Sequence, residues 1–209
     1  MERRKFFDKL LDNINGGVFG LVAVALILLG DFLAILFNPD YVILKHMVSA
    51  LGAGPAPGGL IYNLSVIISG IIVIPFYIHL SRIVIEDNTN ETLRKFAIIS
   101  SMISCITYSL LGVFPSLENI YIIFYIHGVL ALISILSGVC YLISFNILIK
   151  RSKNFKKIQS YFGFFVAGLY MGFLVSWQPG IEWIMSMGIV SWIIIISVSI
   201  LKKKSNSLR

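Results

Sequence analysis

The chain has 209 residues, of which 57% are hydrophobic, and a formal net charge of +7. Its mean hydropathy is +0.90, whereas soluble domains are only about 45–50% apolar. A basic chain of this charge can bind nucleic acid, but no basic stripe or aromatic RNA-binding motif is present, so nucleic acid is not predicted as a partner. We therefore predict an all-α polytopic integral membrane protein that forms a single domain over residues 1–209.

The basic residues are distributed in a pattern that predicts the topology. All but one of the 17 Lys and Arg residues fall within segments 1–16, 82–95, 150–157 and 202–209. Two apolar runs separate each segment from the next, so every basic segment returns to the same side of the membrane. Short loops rich in Lys and Arg stay in the cytoplasm. The pattern predicts a multi-pass protein of the cell membrane with six transmembrane helices and both termini cytoplasmic.

The six predicted helices cover, in chain order, about 17–37, 59–81, 96–114, 120–149, 158–177 and 181–201. Each approaches or exceeds the ~20 residues that a helix needs to cross a bilayer core of about 30 Å. Lipid offers no hydrogen-bond partners to an open strand edge, which excludes a sheet. The basic residues Arg3 to Lys5 resemble the start of a signal peptide. The apolar run that follows is too long and contains Asp31, so we predict an uncleaved first helix.

The outer connections differ in length. Residues 115–119 and 178–180 are short and force two antiparallel helix hairpins, whereas 38–58 is a longer outer segment. Its part 41–51 is partly apolar and compatible with a helix. This part either lies at the membrane interface or folds back into the bundle.

Small residues with four-residue spacing predict close helix contacts. They are Gly16 and Gly20 in the first helix, and Gly168, Gly172 and Ser176 in the fifth. Such residues allow two helix backbones to approach closely. A chain with six helices has many internal contacts to make, so packing within the bundle is favoured over a dimer interface. The sequence does not predict an oligomeric state.

Two ionisable residues lie well inside predicted helices. Asp31 precedes the outer end of the first helix by six residues, and His127 follows the outer start of the fourth by seven. At the rise of an α-helix, both lie roughly 9–10 Å below the outer boundary. An isolated charge facing hydrocarbon is costly, so both side chains should face the bundle interior, where they could pair with each other. Their role is either structural or functional.

Further polar residues gather on the same outer side, and we predict that they form one pocket covered by the 38–58 segment. The candidate residues are Asp31, His46, Ser49, His127, Tyr170 and Gln178. Lys45, the one basic residue on this side, is a candidate contact for an anion. The favoured function is an interaction with membrane lipid at the outer leaflet without demonstrated catalysis. No cofactor and no metal site are predicted.

Two alternative functions remain open. In an intramembrane, metal-dependent lipid hydrolase, Asp31, His46 and His127 would be the ligands. Separately, Ser49 and His46, three residues apart, could be a nucleophile and its base. The paired His motifs of zinc hydrolases are absent from the sequence. A small transporter is the second alternative. Pro75 is predicted to kink the second helix, but the internal repeat typical of transporters is missing.

Short motifs at the outer side carry a family resemblance. They lie at 38–41, 48–54, 61–63, 112–115 and 125–128. They resemble a prokaryotic six-helix membrane family that is catalogued as a domain of unknown function and is similar to the Frag/DRAM/Sfk-like group. That family has a Ser-acidic-Leu/Thr-Gly pattern where this chain has Ala50 in place of the acidic residue. The resemblance implies a six-helix fold and a connection with membrane lipids, since eukaryotic relatives are associated with lipid remodelling and autophagy.

Overall fold

The computed structural model describes residues 15–85 and 89–207, with side chains described up to residue 202. These residues are almost entirely helical, and no strand occurs among them. Six helices in this part of the chain are long and apolar enough to cross a membrane. The predicted all-α, six-span fold is therefore confirmed. The basic segment before Asn15 lies outside the described residues.

The helices are α1 (Gly16–Leu36), α2 (Gly58–Ile72), α3 (Ile74–Ile83), α4 (Glu91–Val113), α5 (Tyr121–Arg151), α6 (Lys157–Ser176) and α7 (Pro179–Ser207). A short 3-10 helix, Val48–Ala53, lies between α1 and α2. Helices α2 and α3 together form one span, Gly58–Ile83, so seven helices make six crossings.

The start of α4 was predicted too late, at residue 96. The helix begins at Glu91 because the side chain of Asn90 accepts a hydrogen bond of 3.0 Å from the N–H of Leu93. An ion pair of 2.7 Å between Arg94 and Glu91 stabilises the same turn. Hydropathy alone misses this polar first turn, because its capping residues are not apolar.

The predicted interruption of the second span at Pro75 is confirmed. Helix α2 ends at Ile72, and α3 begins at Ile74 with Pro75 in its first turn. Proline lacks an N–H and its ring clashes with the carbonyl four residues earlier, so it breaks a continuous helix. The residue at the break, Val73, is buried.

The helices form a closed ring around the centre of the bundle. In the order α1, α2, α4, α5, α6, α7, each helix packs against the next, and α7 packs against α1. Helix α3 continues the α2 position and packs against α1 and α4. Phe76, Phe145 and Trp192 are fully buried in the largest hydrophobic cluster. The ring arrangement leaves room for an internal cavity.

The described Lys and Arg residues, except Lys45, lie at one end of this ring, which we call the basic end. The side chain of Asn154 in the α5–α6 loop donates a 2.8 Å hydrogen bond to the carbonyl of Ile83 at the end of α3. The start of α1 at Gly17 contacts Ser197 and Leu201 near the end of α7. The loops 37–57, 114–120 and 177–178 lie at the opposite end, which we call the outer end. That the basic end faces the cytoplasm remains a prediction.

Cysteine labelling tests this orientation. In a variant without Cys105 and Cys140, single cysteines at Asp40 and Ser116 should react with an impermeant thiol reagent in intact cells, because both positions lie in outer loops. A cysteine at Asn154, at the basic end, should react only after the membrane is opened. Labelling of Asn154 but not of Asp40 in intact cells would reverse the topology. The corresponding test at Asn88 lies outside the described residues.

The predicted small-residue contacts are half right. A Cβ atom at Gly16 would overlap His79, and one at Gly20 would overlap Ser197, so α1 does pack closely at both positions. Gly168 and Gly172 have no atom within 4 Å of an added Cβ. The prediction that they pack within the bundle is wrong, because this face of α6 is turned outward.

Substitution of Gly112 tests a close backbone contact between α2 and α4. A Cβ at Gly112 would overlap the backbone carbonyl oxygen of Asn63, and backbone cannot yield as a side chain can. We expect Gly112→Ala to destabilise the protein by about 1–3 kcal/mol, as overpacking usually does. Gly172→Ala is the control, which should leave the melting temperature unchanged or raise it slightly. Equal melting temperatures for the two variants would contradict the close contact of α2 and α4.

An acidic intramembrane cavity as the candidate functional site

A cavity of about 430 Å³ lies inside the helix ring, towards the outer end. Each of the seven helices contributes residues to its wall, and the loop between α1 and α2 contributes Met47 to Ala50. Its volume lies within the range of about 300–1,000 Å³ that is typical of small-molecule sites. The cavity is therefore the candidate functional site.

Asp31 on α1 lines the cavity and is only 6% exposed. Its Oδ1 atom has no hydrogen-bond partner. Glu182 on α7 also lines the cavity and lies close enough for the two carboxyl groups to repel each other when both are ionised. Buried polar atoms are normally paired, so the free oxygen of Asp31 requires an explanation.

His127 on α5 is 8% exposed and also lines the cavity. Its Nδ1 atom lies 2.7 Å from the carbonyl oxygen of Phe114. A carbonyl only accepts hydrogen bonds, so Nδ1 carries the proton. The prediction that Asp31 and His127 face the bundle interior is confirmed. Their predicted pairing is wrong, because a helix leaves its last carbonyls without partners and His127 satisfies the one just after α4.

The loop between α1 and α2 folds back over the cavity rather than lying on the membrane. Val48 donates its N–H to Oε2 of Glu182 at 2.7 Å, and Ser49 also approaches this carboxylate. The hydroxyl of Ser116 donates to the carbonyl of Ser49 at 3.0 Å. Leu51 is 1% exposed and anchors the 3-10 helix in a small hydrophobic cluster. We call residues 47–53 the roof of the cavity.

A second set of hydrogen bonds holds the start of the roof. The hydroxyl of Tyr41 donates to the carbonyl of Met47 at 2.8 Å, and the indole N–H of Trp183 donates to Tyr41 at 3.1 Å. Burial raises the pKa of Tyr41 well above its usual range, so the hydroxyl remains a donor. Trp183 itself is buried, whereas Trp177 is half exposed.

Two of the six candidate residues lie outside the cavity. His46 is exposed, and its Nδ1 accepts the N–H of Val42 at 2.9 Å within the loop. Gln178 is exposed as well, and its carbonyl accepts the first N–H groups of α7. Lys45 is exposed and does not line the cavity. The predicted anion contact therefore lies away from the cavity, whose charged lining is acidic.

The other four candidates, Asp31, Ser49, His127 and Tyr170, line the same cavity. Tyr170 belongs to its deeper part, where it lies close to Tyr141, which in turn stacks edge to face with Tyr77 at 5.0 Å. Sequence reasoning did not select Tyr77 or Tyr141 for the pocket. Tyrosine in an apolar helix carries no distinctive spacing, so only the closed ring reveals that these residues meet.

The structure does not assemble the ligand set of the alternative metal-dependent hydrolase. Over residues 15–85 and 89–207, no group of three or more His, Cys, Asp or Glu side chains is arranged to hold a metal ion. His46 lies outside the cavity that contains Asp31 and His127. Ser49 lines the cavity and His46 does not, so these two residues do not act together as a nucleophile and its base.

Helix content, length and apolarity together define the chain as a multi-pass membrane protein with an internal cavity. No known family model matches the chain, and neither a curated protein nor a solved structure shows significant similarity to it. The cavity therefore provides the basis for a functional proposal.

Proposed function

We propose that the protein, located in the cell membrane, binds a membrane lipid that enters the cavity from the outer leaflet. The observation that carries this proposal is a group of cavity-lining residues that are exposed at the surface, from which we infer a side opening of the cavity. Phe124 and Gly128 on α5, Trp177 after α6, and Met187 on α7 line the cavity and are also exposed at the surface.

The inferred opening lies near the outer end of the helix ring. Helix α6 ends at Ser176, where Trp177 adopts a left-handed conformation with φ of 49° and turns the chain into α7. Phe124 follows the start of α5 by three residues and Gly128 by seven. At a rise of 1.5 Å per residue, Phe124 and Gly128 therefore lie about 5–10 Å below the outer end of α5. A ligand already dissolved in the membrane reaches such an opening without crossing water.

The lining suits an amphipathic ligand. Acidic and hydroxyl groups gather near the roof, including Asp31, Glu182 and Ser116. Below them the wall is largely apolar, with residues such as Val66, Ile135 and Ile193. Small-molecule sites typically combine an apolar wall with a few polar groups that fix orientation. The head group would lie under the roof and a hydrocarbon chain would lie along the apolar wall.

Blocking the opening tests lipid binding. Gly128 lines the cavity and has no atom within 4 Å of an added Cβ, so Gly128→Trp can place a large side chain in the opening without a backbone clash. Lipid that co-purifies with the protein, counted by native mass spectrometry, should fall at least about tenfold in this variant, since a filled site cannot also hold the ligand.

Gly168→Trp is the matched control, because Gly168 has equal free space on neighbouring α6 but does not line the cavity. This variant should retain its lipid, and both variants should keep the melting temperature of the parent. Equal lipid retention by the two tryptophan variants would refute binding in the cavity.

A small transporter is the second candidate, and one observation favours it. The break between α2 and α3 lies at Val73, which lines the cavity. Broken helices at a binding site in the membrane are typical of transporters. In this case, movement of lipid between leaflets of reconstituted vesicles should depend on an ion gradient. A simple binding protein should show no such dependence.

The proposed relationship to the Frag/DRAM/Sfk-like group points in the same direction, towards membrane lipid. The described residues give less support to a metal-dependent hydrolase, since they gather no three-ligand set.

A further inference from the structure

We infer that the ligand of the cavity carries a cationic amine, in the form of an alkylammonium group attached to an apolar chain. This inference rests on the proposed function and adds the chemical class of the head group. It depends on which charges, and which free hydrogen-bonding atoms, line the cavity.

The charged lining of the cavity has one sign. Asp31, Glu118 and Glu182 line it, and among the described residues no Lys or Arg does. His127 is the one imidazole in the wall, and its protonated nitrogen is already bound to Phe114. A concave site lined by a single sign of charge with low-dielectric walls attracts ligands of the opposite sign.

Two buried side-chain atoms of the wall lack a hydrogen-bond partner, and both are acceptors. Oδ1 of Asp31 and Oδ1 of Asn63 are both buried without a partner, and both residues line the cavity. Asn63 already uses its Nδ2 to donate to the carbonyl of Gly52 at 2.9 Å, which leaves only its oxygen free. An ammonium group supplies donors and no acceptor, as lysine does. A carboxylate or phosphate head group would instead face unpaired acceptors and an acidic lining.

The remaining wall favours an organic cation over a metal ion. Tyr62 and Tyr108 lie close enough to Asp31 to interact with it electrostatically, and both line the cavity. Aromatic faces attract ammonium groups, whereas metal ions of the hard type require several oxygen ligands. The apolar wall below would bury the chain that an alkylamine carries.

The test compares three amphiphiles of equal chain length that differ only in the head group. Dodecylamine, dodecanol and dodecanoate are titrated into the full-length protein in phosphatidylglycerol nanodiscs, with empty nanodiscs measured in parallel. We expect dodecylamine to bind at least about tenfold more tightly than dodecanol, since close charge pairs in interfaces couple strongly enough for this difference. Dodecanoate should bind most weakly.

Two charge-neutralising variants locate the preference. Asp31→Asn and Glu182→Gln should each reduce the ratio of the amine affinity to the alcohol affinity. Glutamine at 182 retains an oxygen for the N–H of Val48, so the roof stays in place. Melting temperatures identify a variant that fails to fold. In that case, the preference of the other variant for the amine tests the inference. A well-folded variant of either kind that retains the full preference for the amine overturns the inference.

The outcomes separate this inference from the proposed function. If the alcohol and the amine bind equally and Gly128→Trp abolishes both, lipid binding stands and the amine inference is overturned. If Gly128→Trp leaves every affinity unchanged, the proposed function itself fails, and the inference fails with it. A last arm adds phosphatidylethanolamine to the nanodiscs. Displacement of dodecylamine identifies a lipid head-group amine as the ligand, and its absence identifies a free single-chain amine.

Discussion

Replacing Trp192 by alanine is expected to lower the free energy of unfolding by about 3–5 kcal/mol, the usual cost of removing a large buried aromatic residue. Trp192 lies on α7 and is 0% exposed. Its ring packs edge to face against Phe76 with a centroid distance of 6.2 Å. Its indole N–H donates a 3.2 Å hydrogen bond to Oδ1 of Asn146 on α5, which is itself fully buried.

A phenylalanine at the same position separates the two contributions. Trp192→Phe keeps much of the packing but leaves Oδ1 of Asn146 without a donor, which costs about 1–3 kcal/mol for a buried acceptor. Thermal unfolding in detergent, followed by tryptophan-independent light scattering, should rank wild type above Trp192→Phe and Trp192→Phe above Trp192→Ala. Trp177→Phe serves as the comparison, because Trp177 is half exposed and phenylalanine retains much of its ring volume. A stability of Trp192→Ala equal to that of wild type would contradict the packing of α7 against the bundle centre.

The topology was accessible from the sequence because it depends on composition over long segments. Six apolar runs of sufficient length specify six helices, since the bilayer leaves few alternatives. Pro75 identified the break in the second span by its chemistry alone. Helix starts were harder, as the polar first turn of α4 shows, because side-chain capping overrides hydropathy there.

The candidate site was only partly accessible for a different reason. Burial cost implies that Asp31 and His127 face inward, but it does not name their partners. His127 bonds to a backbone carbonyl of Phe114, and such an acceptor is invisible to a search for complementary side chains. Glu182 lies in the first turn of α7, where acidic residues are common because their negative charge interacts favourably with the helix dipole. Nothing in its position indicates that it reaches the N–H of Val48 from another part of the chain.

The negative charge of the cavity lining also depends on where the charged residues lie in three dimensions. Lys45 is the one basic residue in the predicted outer segments, which made it a candidate contact for an anion. The loop turns at Leu44, whose φ of 70° is left-handed, and Lys45 is exposed beyond this turn. Val48 and Ser49 then fold inward to Glu182. The change of backbone direction at Leu44 thus leaves Lys45 outside, whereas Val48 and Ser49 reach the carboxylate of Glu182.

Removing the Glu182 carboxylate is expected to loosen the roof without unfolding the protein. The N–H of Val48 donates a 2.7 Å hydrogen bond to Oε2 of Glu182, and hydrogen bonds to charged groups contribute about 1.5–3 kcal/mol. Glu182→Ala should therefore raise the exchange rate of the Val48 amide by roughly 10- to 100-fold, since each 1.4 kcal/mol is a factor of ten. Amides within α5 should exchange as in wild type, because the roof contributes little to the helix ring.

Two variants determine whether the effect comes from this hydrogen bond. Glu182→Gln keeps an acceptor oxygen and should restore most of the protection of Val48, whereas Glu118→Ala, at an exposed position on the rim, should change nothing in the roof. The remaining bonds from Ser116 to Ser49 and from Asn63 to Gly52 hold the far side of the roof, so the loosening should be confined to its start. An unchanged exchange rate at Val48 in Glu182→Ala would show that Tyr41 and Trp183 suffice to hold the roof. The acidic residues of the cavity would then serve its ligand rather than its closure.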